Sequence, residues 1–345
     1  MRVSEIGEFG LIELLCRELA IPYPPASNVA TRPGFVVDVG DDALVAEPSD
    51  EALIWTTDTL VEGVHFLPGR TPWRNVGWKA IAVNVSDVAA MGGSPRLALV
   101  TLCLPDQFCV EDAVDLYRGM KECCDAYGVV VGGGDIVRSP VFTVTVAMSG
   151  GASRGAAGEV CTLTRGAARA GDVVAVTGTL GDSAAGVRLL ASGAHSEGAA
   201  ARSLVKAQER PAARIEAGQM TLRAGIRCGM DISDGLVQDA GHIARASGIQ
   251  IRIEAEKVPL SPALRSAFPD DCLELALTGG EDYQLLLCGP RAVFERLIVA
   301  GLDVTIVGEA VEGDASVVVA GGADGKAYGT EGWDHFRSLS KGGAL

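Results

Sequence analysis

Hydrophobic and polar positions follow two periods along the chain, and each period predicts its own kind of element. From Ile6 to Ala20 apolar side chains recur at roughly helical spacing, whereas from Val141 to Met148 apolar and polar residues alternate as in a half-buried strand. The helical period also predicts helices over residues 72–91, 111–127, 211–224, 234–247 and 291–300, and one beginning near residue 182. Strands are predicted over residues 35–39, 52–57, 96–104, 129–131, 172–177, 249–254, 283–288 and 304–307, with a short one ending at residue 231. This alternation of strands and helices indicates an α/β or α+β fold.

The chain is predicted to form two domains, because its 345 residues exceed what one hydrophobic core usually organises. Between Gly150 and Ala170 the periodicity fails and the composition turns to Gly, Ala, Arg and Thr. We therefore expect one domain over residues 1–152 and a second over residues 153–345.

Composition and charge indicate a soluble globular protein. The formal net charge of −15, without a run of Lys and Arg, argues against a nucleic-acid partner. The N-terminus lacks a signal-peptide apolar segment, and the most apolar long stretch, Ile81 to Leu104, is interrupted by polar and charged residues, so no membrane partner is expected. The nine cysteines are irregularly spaced and form no metal pattern, which predicts reduced thiols in a cytoplasmic protein.

The common nucleotide and hydrolase motifs are missing from the sequence. Residues 321–327 (GGADGKA) lack the spacing of a P-loop and the Ser or Thr that follows its lysine, and no G-x-G-x-x-G follows a predicted strand. Residues 181–186 (GDSAAG) do not form the G-x-S-x-G of a nucleophile elbow. No H-E-x-x-H zinc helix is present either.

A series of aspartates stands at the ends of predicted elements beside Gly, Ser or Thr. They occur in Gly40-Asp41-Asp42, Thr56-Thr57-Asp58, Asn84-Val85-Ser86-Asp87, Gly132-Gly133-Gly134-Asp135 and Asp231-Ile232-Ser233-Asp234. Each has an ordinary structural interpretation, since Asp and Ser commonly cap helices and Gly-Asp pairs commonly form turns. For Asp234 alone the helix cap is the favoured interpretation.

Two of these loci point beyond structure. Asp87 lies inside an otherwise apolar helix, on one face with Lys79 and Val83, where an unpaired charge is costly. The three glycines before Asp135 follow a predicted buried strand and let a ligand approach the main chain closely. Carboxylates with hydroxyl neighbours suit Mg²⁺, which prefers oxygen ligands shared with substrate phosphates. The joint interpretation is a site in which several Mg²⁺ ions bridge a polyphosphate.

Further loci suit the substrate side of such a site. His65 follows the Thr-Thr-Asp strand, Glu281 lies in Thr278-Gly279-Gly280-Glu281-Asp282-Tyr283, and Trp333 belongs to an aromatic patch near the C-terminus. An aromatic side chain there can stack on a planar ligand, although packing on the core is its usual role.

The ordered motifs resemble those of the thiamine-monophosphate kinases over essentially the whole chain. The motifs are GEFGLI (7–12), GDDA (40–43), TTDTLVEGVHF (56–66), NVSDVAAMG (84–92), GGGD (132–135), VTGTLGDSAAG (176–186), DISDGL (231–236), TGGEDYQL (278–285) and GWDHF (332–336). The resemblance implies the two-domain fold of aminoimidazole ribonucleotide synthetase. In that fold an N-terminal α/β domain pairs with its twin in a homodimer whose sheets form a barrel, and a C-terminal α/β domain completes the ATP site.

The resemblance also implies a role for individual residues. The implied metal ligands are Asp42, Thr56, Thr57, Asp58, Asp87, Asp135, Asp231 and Asp234. The implied ATP contacts are Tyr117, Gly134, Arg165 and Ser233, and the implied thiamine-phosphate contacts are His65, Glu281 and Trp333. The family commonly carries hydroxyl residues directly after the GGD aspartate, whereas Ile136 and Val137 follow it here.

The implied reaction is in-line transfer of the γ-phosphoryl group of ATP to thiamine monophosphate, the last step of thiamine diphosphate biosynthesis. The acceptor phosphate is already ionised near neutral pH, so no general base is needed, and the sequence shows neither a His/Asp pair nor a kinase H-R-D loop. Mg²⁺ ions with a cation such as Arg165 or Lys79 would screen the repulsion between the two anions. The alternatives are another ATP-using member of the superfamily, such as a selenophosphate or purine-pathway synthetase, and a non-catalytic ATP- or metal-binding protein.

Overall fold

The computed structural model describes residues 1–21, 35–37, 45–46, 50–193 and 198–321, with the backbone alone for residues 35–37 and 45–46. The chain divides into two compact units, one of Met1–Val85 with Pro95–Arg154 and one of Ser86–Ser94 with Gly155–Leu345. Two of the expected site residues, Asp42 and Trp333, lie outside the described residues, as do the motifs at 40–43 and 332–336.

The first unit alternates helices and strands along the chain. Its elements are α1 (Val3–Glu18), β1 (Phe35–Val37), β2 (Val45–Ala46), β3 (Ala52–Val61), α2 (Trp73–Ala90), β4 (Ser94–Leu104), α3 (Val110–Tyr127), β5 (Val130–Arg138) and β6 (Thr143–Ala152). The end of α2, from Ser86 on, and Ser94 of β4 belong to the second unit. Strands β1 and β2 pair with each other, and the other four form a sheet in the order β3-β6-β4-β5. Within it β3 is antiparallel to β6, and β4 is parallel to β5.

The two faces of the four-stranded sheet differ in burial. The buried face carries Ala98, Val100 and Leu102 of β4 and Val144, Val146 and Met148 of β6. The residues between them on each strand point to the opposite face, because side chains alternate along a strand. On that face Leu53, Trp55 and Leu99 are 60%, 63% and 38% exposed. The face open to solvent in one chain is therefore partly apolar.

Helices α2 and α3 approach each other closely at two glycines. A Cβ atom on Gly77 would lie 1.8 Å from the main-chain oxygen of Leu116, and one on Gly119 would lie 1.7 Å from that of Arg74. Such distances leave no room for any side chain, so both positions require glycine. An ion pair between Arg74 and Glu122 also joins the two helices.

Two strands of this unit are longer than the sequence pattern predicts. Strand β3 continues past residue 57 to Val61 and pairs with β6 throughout, so Thr56, Thr57 and Asp58 lie inside a strand and not at its end. Strand β5 continues through the triple glycine to Arg138, with a shift of register between Ala98 and Leu99 on its partner β4. The interpretation of this glycine run as the end of a strand is therefore wrong, because extended backbone with a bulge accommodates it.

The second unit contains a six-stranded sheet with helices. Its elements are β7 (Val173–Thr177), α4 (Asp182–Ser192), α5 (Ala199–Glu209), α6 (Ile215–Arg223), β8 (Cys228–Asp231), α7 (Leu236–Ser247), β9 (Gln250–Glu254), α8 (Pro262–Ala267), α9 (Cys272–Thr278), β10 (Leu285–Gly289), α10 (Arg291–Val299), β11 (Val304–Val311) and β12 (Ser316–Ala320), with short 3₁₀ turns at Arg165–Ala167 and Ala255–Lys257. The strand order is β12-β9-β11-β7-β10-β8.

The strand β7 is buried along its whole length and separates two hydrophobic clusters. Val174 and Val176 pack in one cluster, and Val173 and Ala175 in the other. A strand covered on both faces shows a continuous apolar run, which explains why Val173–Thr177 was recognisable from sequence. Helices α5, α8 and α9 and strand β12 were not predicted, although Ser261 followed by Pro262 is a helix-start signal, and the Ser261 hydroxyl accepts the N–H of Leu264.

Two sequence expectations concern the whole chain. None of the helices among the described residues combines the length and hydropathy that a membrane span requires. All nine cysteines lie within the described ranges as free thiols, and five of them are buried.

Candidate functional site

In the second unit the segments 231–234 and 281–284 lie side by side through main-chain hydrogen bonds. The N–H of Glu281 donates to the carbonyl oxygen of Ser233 at 2.8 Å, and that of Tyr283 donates to Ile232 at 2.9 Å. The N–H of Ile232 donates in return to Gln284 at 2.7 Å. The structure thus brings together the DISD and GGEDY motifs, which lie about 50 residues apart in sequence.

Glycines permit this close approach. A Cβ atom on Gly280 would lie 2.6 Å from the carbonyl oxygen of Ser233, and one on Gly279 would lie 2.3 Å from that of Leu275. Gly235 has φ +113°, and its Cβ would lie 2.8 Å from the carbonyl oxygen of Thr278. The glycines of both motifs are therefore required by main-chain packing around the site.

Asp231 is a buried carboxylate that lies close enough to Asp87 for the two charges to interact. The Asp231 side chain is 5% exposed and accepts a 2.7 Å hydrogen bond from the Ser86 hydroxyl. Burial and the neighbouring Asp87 carboxylate raise the pKa of Asp231 to about 7, while the hydroxyl of Ser86 and the charge of Arg165 act in the opposite direction. Two carboxylates in this setting repel each other unless a proton or a cation lies between them.

Asp234 lies in a second acidic cluster with two residues of α7. One carboxylate oxygen each of Asp234 and Asp239 and a ring nitrogen of His242 lie within 4.8 Å of one another. Burial, and then the Asp234 charge, raise the pKa of Asp239 to about 8. The interpretation of Asp234 as a helix cap is wrong, because the cap of α7 is Gly235 and makes no side-chain cap bond.

Glu281 is held by strained backbone and by a side-chain partner. Its φ of +67° is uncommon for a residue other than glycine, and Tyr283 has a φ of +51°. The amide Nε2 of Gln208, on α5, donates to Glu281 Oε2 at 2.8 Å. The next carboxylate, Asp282, accepts the N–H groups of Gly181 and Ser183 at 2.7 and 3.3 Å. This segment is therefore fixed to α4 and α5.

In the first unit the expected ligands occupy both edge strands of the sheet. Thr56, Thr57 and Asp58 lie on β3, and Asp135 lies on β5 next to Gly134. Thr57 is exposed on the face opposite Thr56 and Asp58, because side chains alternate. A Cβ on Gly134 would lie 1.7 Å from the carbonyl oxygen of Val100, so this position requires glycine. With two strands between them, β3 and β5 are about 14 Å apart, and the structure does not bring Asp58 and Asp135 together.

His65 is positioned by main-chain contacts. Its Nδ1 accepts the N–H of Val61 at 3.1 Å, and its carbonyl oxygen accepts a 3.0 Å hydrogen bond from the Lys79 ammonium, which is 1% exposed. Lys79 therefore fixes the loop that carries His65. Tyr117 is buried in α3, and burial raises the pKa of its phenol well above the usual range.

The structure also identifies neighbours of the site that the sequence interpretation missed, namely Gln208, Asp239, His242 and Asp282. Asp239 and His242 form an Asp-x-x-His pair whose i, i+3 spacing places both on one face of a helix, and this signal was present in the sequence. Gln208 had no such signal, because only the packing of α5 brings it to Glu281.

Comparisons with known proteins cover almost the whole chain. The AIR synthase related protein N-terminal domain matches residues 40–152 and the corresponding C-terminal domain matches residues 169–321. The thiamine-monophosphate kinase of Aquifex aeolicus (strain VF5) is 40% identical over 339 residues, which cover 97% of this chain and 100% of that protein. The solved structure described as AaThiL complexed with AMPPCP and TMP is 39% identical, with 97% of this chain and 99% of that chain covered and a TM-score of 0.75. The thiamine-monophosphate kinase structure from Stenotrophomonas maltophilia K279a is 33% identical, with 92% and 97% covered and a TM-score of 0.78. These matches confirm the predicted fold class.

Proposed function

Because the chain belongs to the thiamine-monophosphate kinase family of AIR synthase related proteins, we propose that it transfers the γ-phosphoryl group of ATP to thiamine monophosphate. The products are thiamine diphosphate and ADP. The observation that carries this function is the 39% identity, over 97% of the chain, to a structure complexed with AMPPCP and TMP. AMPPCP is an analogue of ATP, so that complex contains counterparts of both substrates.

The described residues fit magnesium. The Asp87 charge acts on the Asp231 carboxylate, to which the Ser86 hydroxyl donates, and hard oxygen ligands of this kind are those that Mg²⁺ prefers. We assign as ligands Asp42, Thr56, Thr57, Asp58, Asp87, Asp135, Asp231 and Asp234. When bound, magnesium ions neutralise the phosphate oxygens and align them for transfer.

The substrate contacts are assigned by the same motifs. We assign Tyr117, Gly134, Arg165 and Ser233 to ATP and His65, Glu281 and Trp333 to thiamine monophosphate. Two contacts support the assignment of Ser233 and Glu281 to one place, because the N–H of Glu281 donates to the Ser233 carbonyl oxygen and the neighbouring Tyr283 bonds to Ile232. Arg165 lies near enough to Asp231 for its charge to oppose the rise in the pKa of that carboxyl, as a phosphate-binding cation beside the metal ligands would.

The transfer itself needs orientation and charge screening more than proton transfer. The second pKa of a phosphate monoester is about 6, so the attacking oxygen of thiamine monophosphate is ionised at neutral pH. The assigned carboxylates would hold the metal ions in place, and Arg165 offers positive charge to the transferring group. Direct in-line transfer follows, without a covalent intermediate on the protein.

We further assign the N-terminal part, residues 1–152, to ATP, magnesium and homodimer formation, and residues 153–345 to completion of the site. The four-stranded sheet supports the dimer in two ways. Its open face exposes Leu53, Trp55 and Leu99, an apolar surface that a second copy would cover. Its two edge strands carry Asp58 and Asp135, which come onto neighbouring strands only if β5 of one protomer lies beside β3 of its partner.

The nine free thiols support a cytoplasmic location, because cysteines in oxidising compartments commonly form disulfides.

The test of the function is an assay of the purified chain with Mg-ATP and thiamine monophosphate. Equimolar formation of thiamine diphosphate and ADP is expected. Asp87→Ala removes an assigned ligand and should lower kcat on the order of 10²-fold or more while the thermal unfolding midpoint stays near that of wild type. Absence of thiamine diphosphate from a folded dimer would overturn the assignment.

A further inference from the structure

A group of three potential metal ligands lies at the N-terminal end of α7. Asp239 and His242 are one helical turn apart on the helix, and Asp234 precedes it in the loop. One oxygen of each carboxylate and one ring nitrogen lie within 4.8 Å of one another. Three such atoms at this separation surround a volume in which one divalent cation can contact all of them after small side-chain adjustments.

A second observation, the unpartnered oxygen of the buried Asp239 carboxylate, supports a cation at this position. The Asp239 side chain is 1% exposed, and Oδ2 accepts the N–H groups of Ser233 and Asp234 at 3.0 and 3.1 Å. The other oxygen, Oδ1, has no hydrogen-bond partner among the described residues. An unsatisfied buried carboxylate oxygen beside a second carboxylate is costly, and a bound cation removes that cost.

We propose that Asp234, Asp239 and His242 form a divalent-cation site of two carboxylates and one imidazole. This proposal rests on the proposed function only in taking Asp234 as a metal ligand. The oxygen atoms accept Mg²⁺, while the imidazole adds affinity for softer ions such as Mn²⁺. The Asp239 carboxylate is already oriented, because two main-chain N–H groups fix its Oδ2.

Arg245 competes with the cation for His242. A guanidinium N–H group of Arg245 lies 3.2 Å from His242 Nδ1, and a guanidinium can only donate, so Nδ1 accepts and the ring proton lies on Nε2. Binding of a cation at Nδ1 displaces Arg245 directly. Binding at Nε2 moves the ring proton to Nδ1 and removes the acceptor. In both cases the exposed Arg245 side chain must leave, and its positive charge opposes the cation.

The experiment is a titration of the full-length protein with Mn²⁺ in the absence of nucleotide. Free Mn²⁺ is measured by electron paramagnetic resonance, and binding near His242 is measured by the broadening of its ring resonances. His242→Gln should weaken binding at one Mn²⁺ site on the order of tenfold and change Mg²⁺ affinity much less. Asp239→Asn should weaken the binding of both Mn²⁺ and Mg²⁺, and Arg245→Gln should tighten Mn²⁺ binding a few-fold.

Thermal unfolding midpoints identify any variant that fails to fold. If Asp239→Asn does not fold, His242→Gln and Arg245→Gln still test the site. Identical Mn²⁺ isotherms in wild type and His242→Gln, with unbroadened His242 resonances, would overturn the site. The kinase assay with Mg-ATP is run on the same preparations. Mn²⁺ binding as expected without kinase activity contradicts only the proposed function, whereas activity with unchanged isotherms contradicts only this site.

Discussion

At the scale of single residues, the contacts of Glu281 show how a flexible carboxylate is given one orientation. Its backbone adopts a φ of +67°, and its side chain accepts a hydrogen bond from Gln208. Backbone strain of this kind persists when surrounding contacts fix it, and it is concentrated at functional sites.

Gln208→Ala tests the role of this hydrogen bond. A hydrogen bond to a charged group is worth about 1.5–3 kcal/mol, so the KM for thiamine monophosphate should rise on the order of tenfold, with the KM for ATP nearly unchanged. Steady-state kinetics with each substrate varied in turn measure this. Gln208→Glu places a like charge beside Glu281 and should raise the same KM further. An effect confined to ATP would contradict the placement of Glu281 at the acceptor.

Asp282 makes stability depend on pH. Burial raises its pKa to about 7, against about 3.9 in an unfolded chain. Between these values the folded protein holds a proton that the unfolded chain has released, so the free energy of unfolding falls as pH rises from about 4 to about 7. Between pH 5 and pH 7 the free energy of unfolding, measured with urea, should fall by about 2 kcal/mol more in wild type than in Asp282→Asn. The control Asp270→Asn, at an exposed position, should follow wild type. A wild-type slope in Asp282→Asn would refute the role of Asp282.

At the scale of elements, glycines decide how closely helices and strands approach. Gly119 allows α3 to pack on the main chain of α2, and Gly134 lies where a Cβ would overlap the carbonyl oxygen of Val100. The sequence shows glycine at these positions, but only the packed neighbours show why no side chain fits.

Gly119→Ala should therefore destabilise the protein. Alanine gains about 1 kcal/mol of helix propensity, but its Cβ would lie 1.7 Å from the Arg74 carbonyl oxygen and force the helices apart. Overpacking of this kind costs about 1–3 kcal/mol or more, so a net loss is expected in urea unfolding. Gly241→Ala is the matched control, because its Cβ would meet only the side chain of Arg245, at 3.2 Å, and should be neutral or stabilising. Equal effects would mean that the contact between α2 and α3 relaxes freely.

At the scale of the whole molecule, the sheet order decides what a single chain can assemble. Asp58 and Asp135 lie on opposite edge strands, so a cluster that contains both requires a second copy. A hybrid dimer of one Asp58→Asn and one Asp135→Asn subunit, isolated with two affinity tags, would then retain one intact site.

This hybrid should show about half of the wild-type kcat, whereas each mutant homodimer should be nearly inactive. A hybrid of Asp58→Asn with the Asp58→Asn/Asp135→Asn double variant has no intact site and serves as the control. Inactivity of the first hybrid, with its dimeric state verified, would show that the two aspartates do not act across the interface.

Most of the fold could be predicted from sequence where the hydrophobic period was long and regular. The helix from Trp73 and the strand from Ser94 to Leu104 agree with the predicted ranges within two residues, because burial of one face imposes the period on the sequence. Short elements such as α8 and α9 escaped prediction, because six or seven residues contain too few turns to show a period. The glycine-rich strand β5 escaped because glycine carries no side chain that marks a strand.

The sequence by itself determined the family, the reaction and the motifs that carry the assigned ligands, since these depend on residue types in a fixed order. Tertiary structure decided which of them meet. A main-chain hydrogen bond joins Ser233 to Glu281, and the Ser86 hydroxyl donates to Asp231, which lies 145 residues further along the chain. The sheet keeps Asp58 and Asp135 on separate edges. Distances between residues far apart in sequence depend on packing of the whole chain, and no local pattern encodes them.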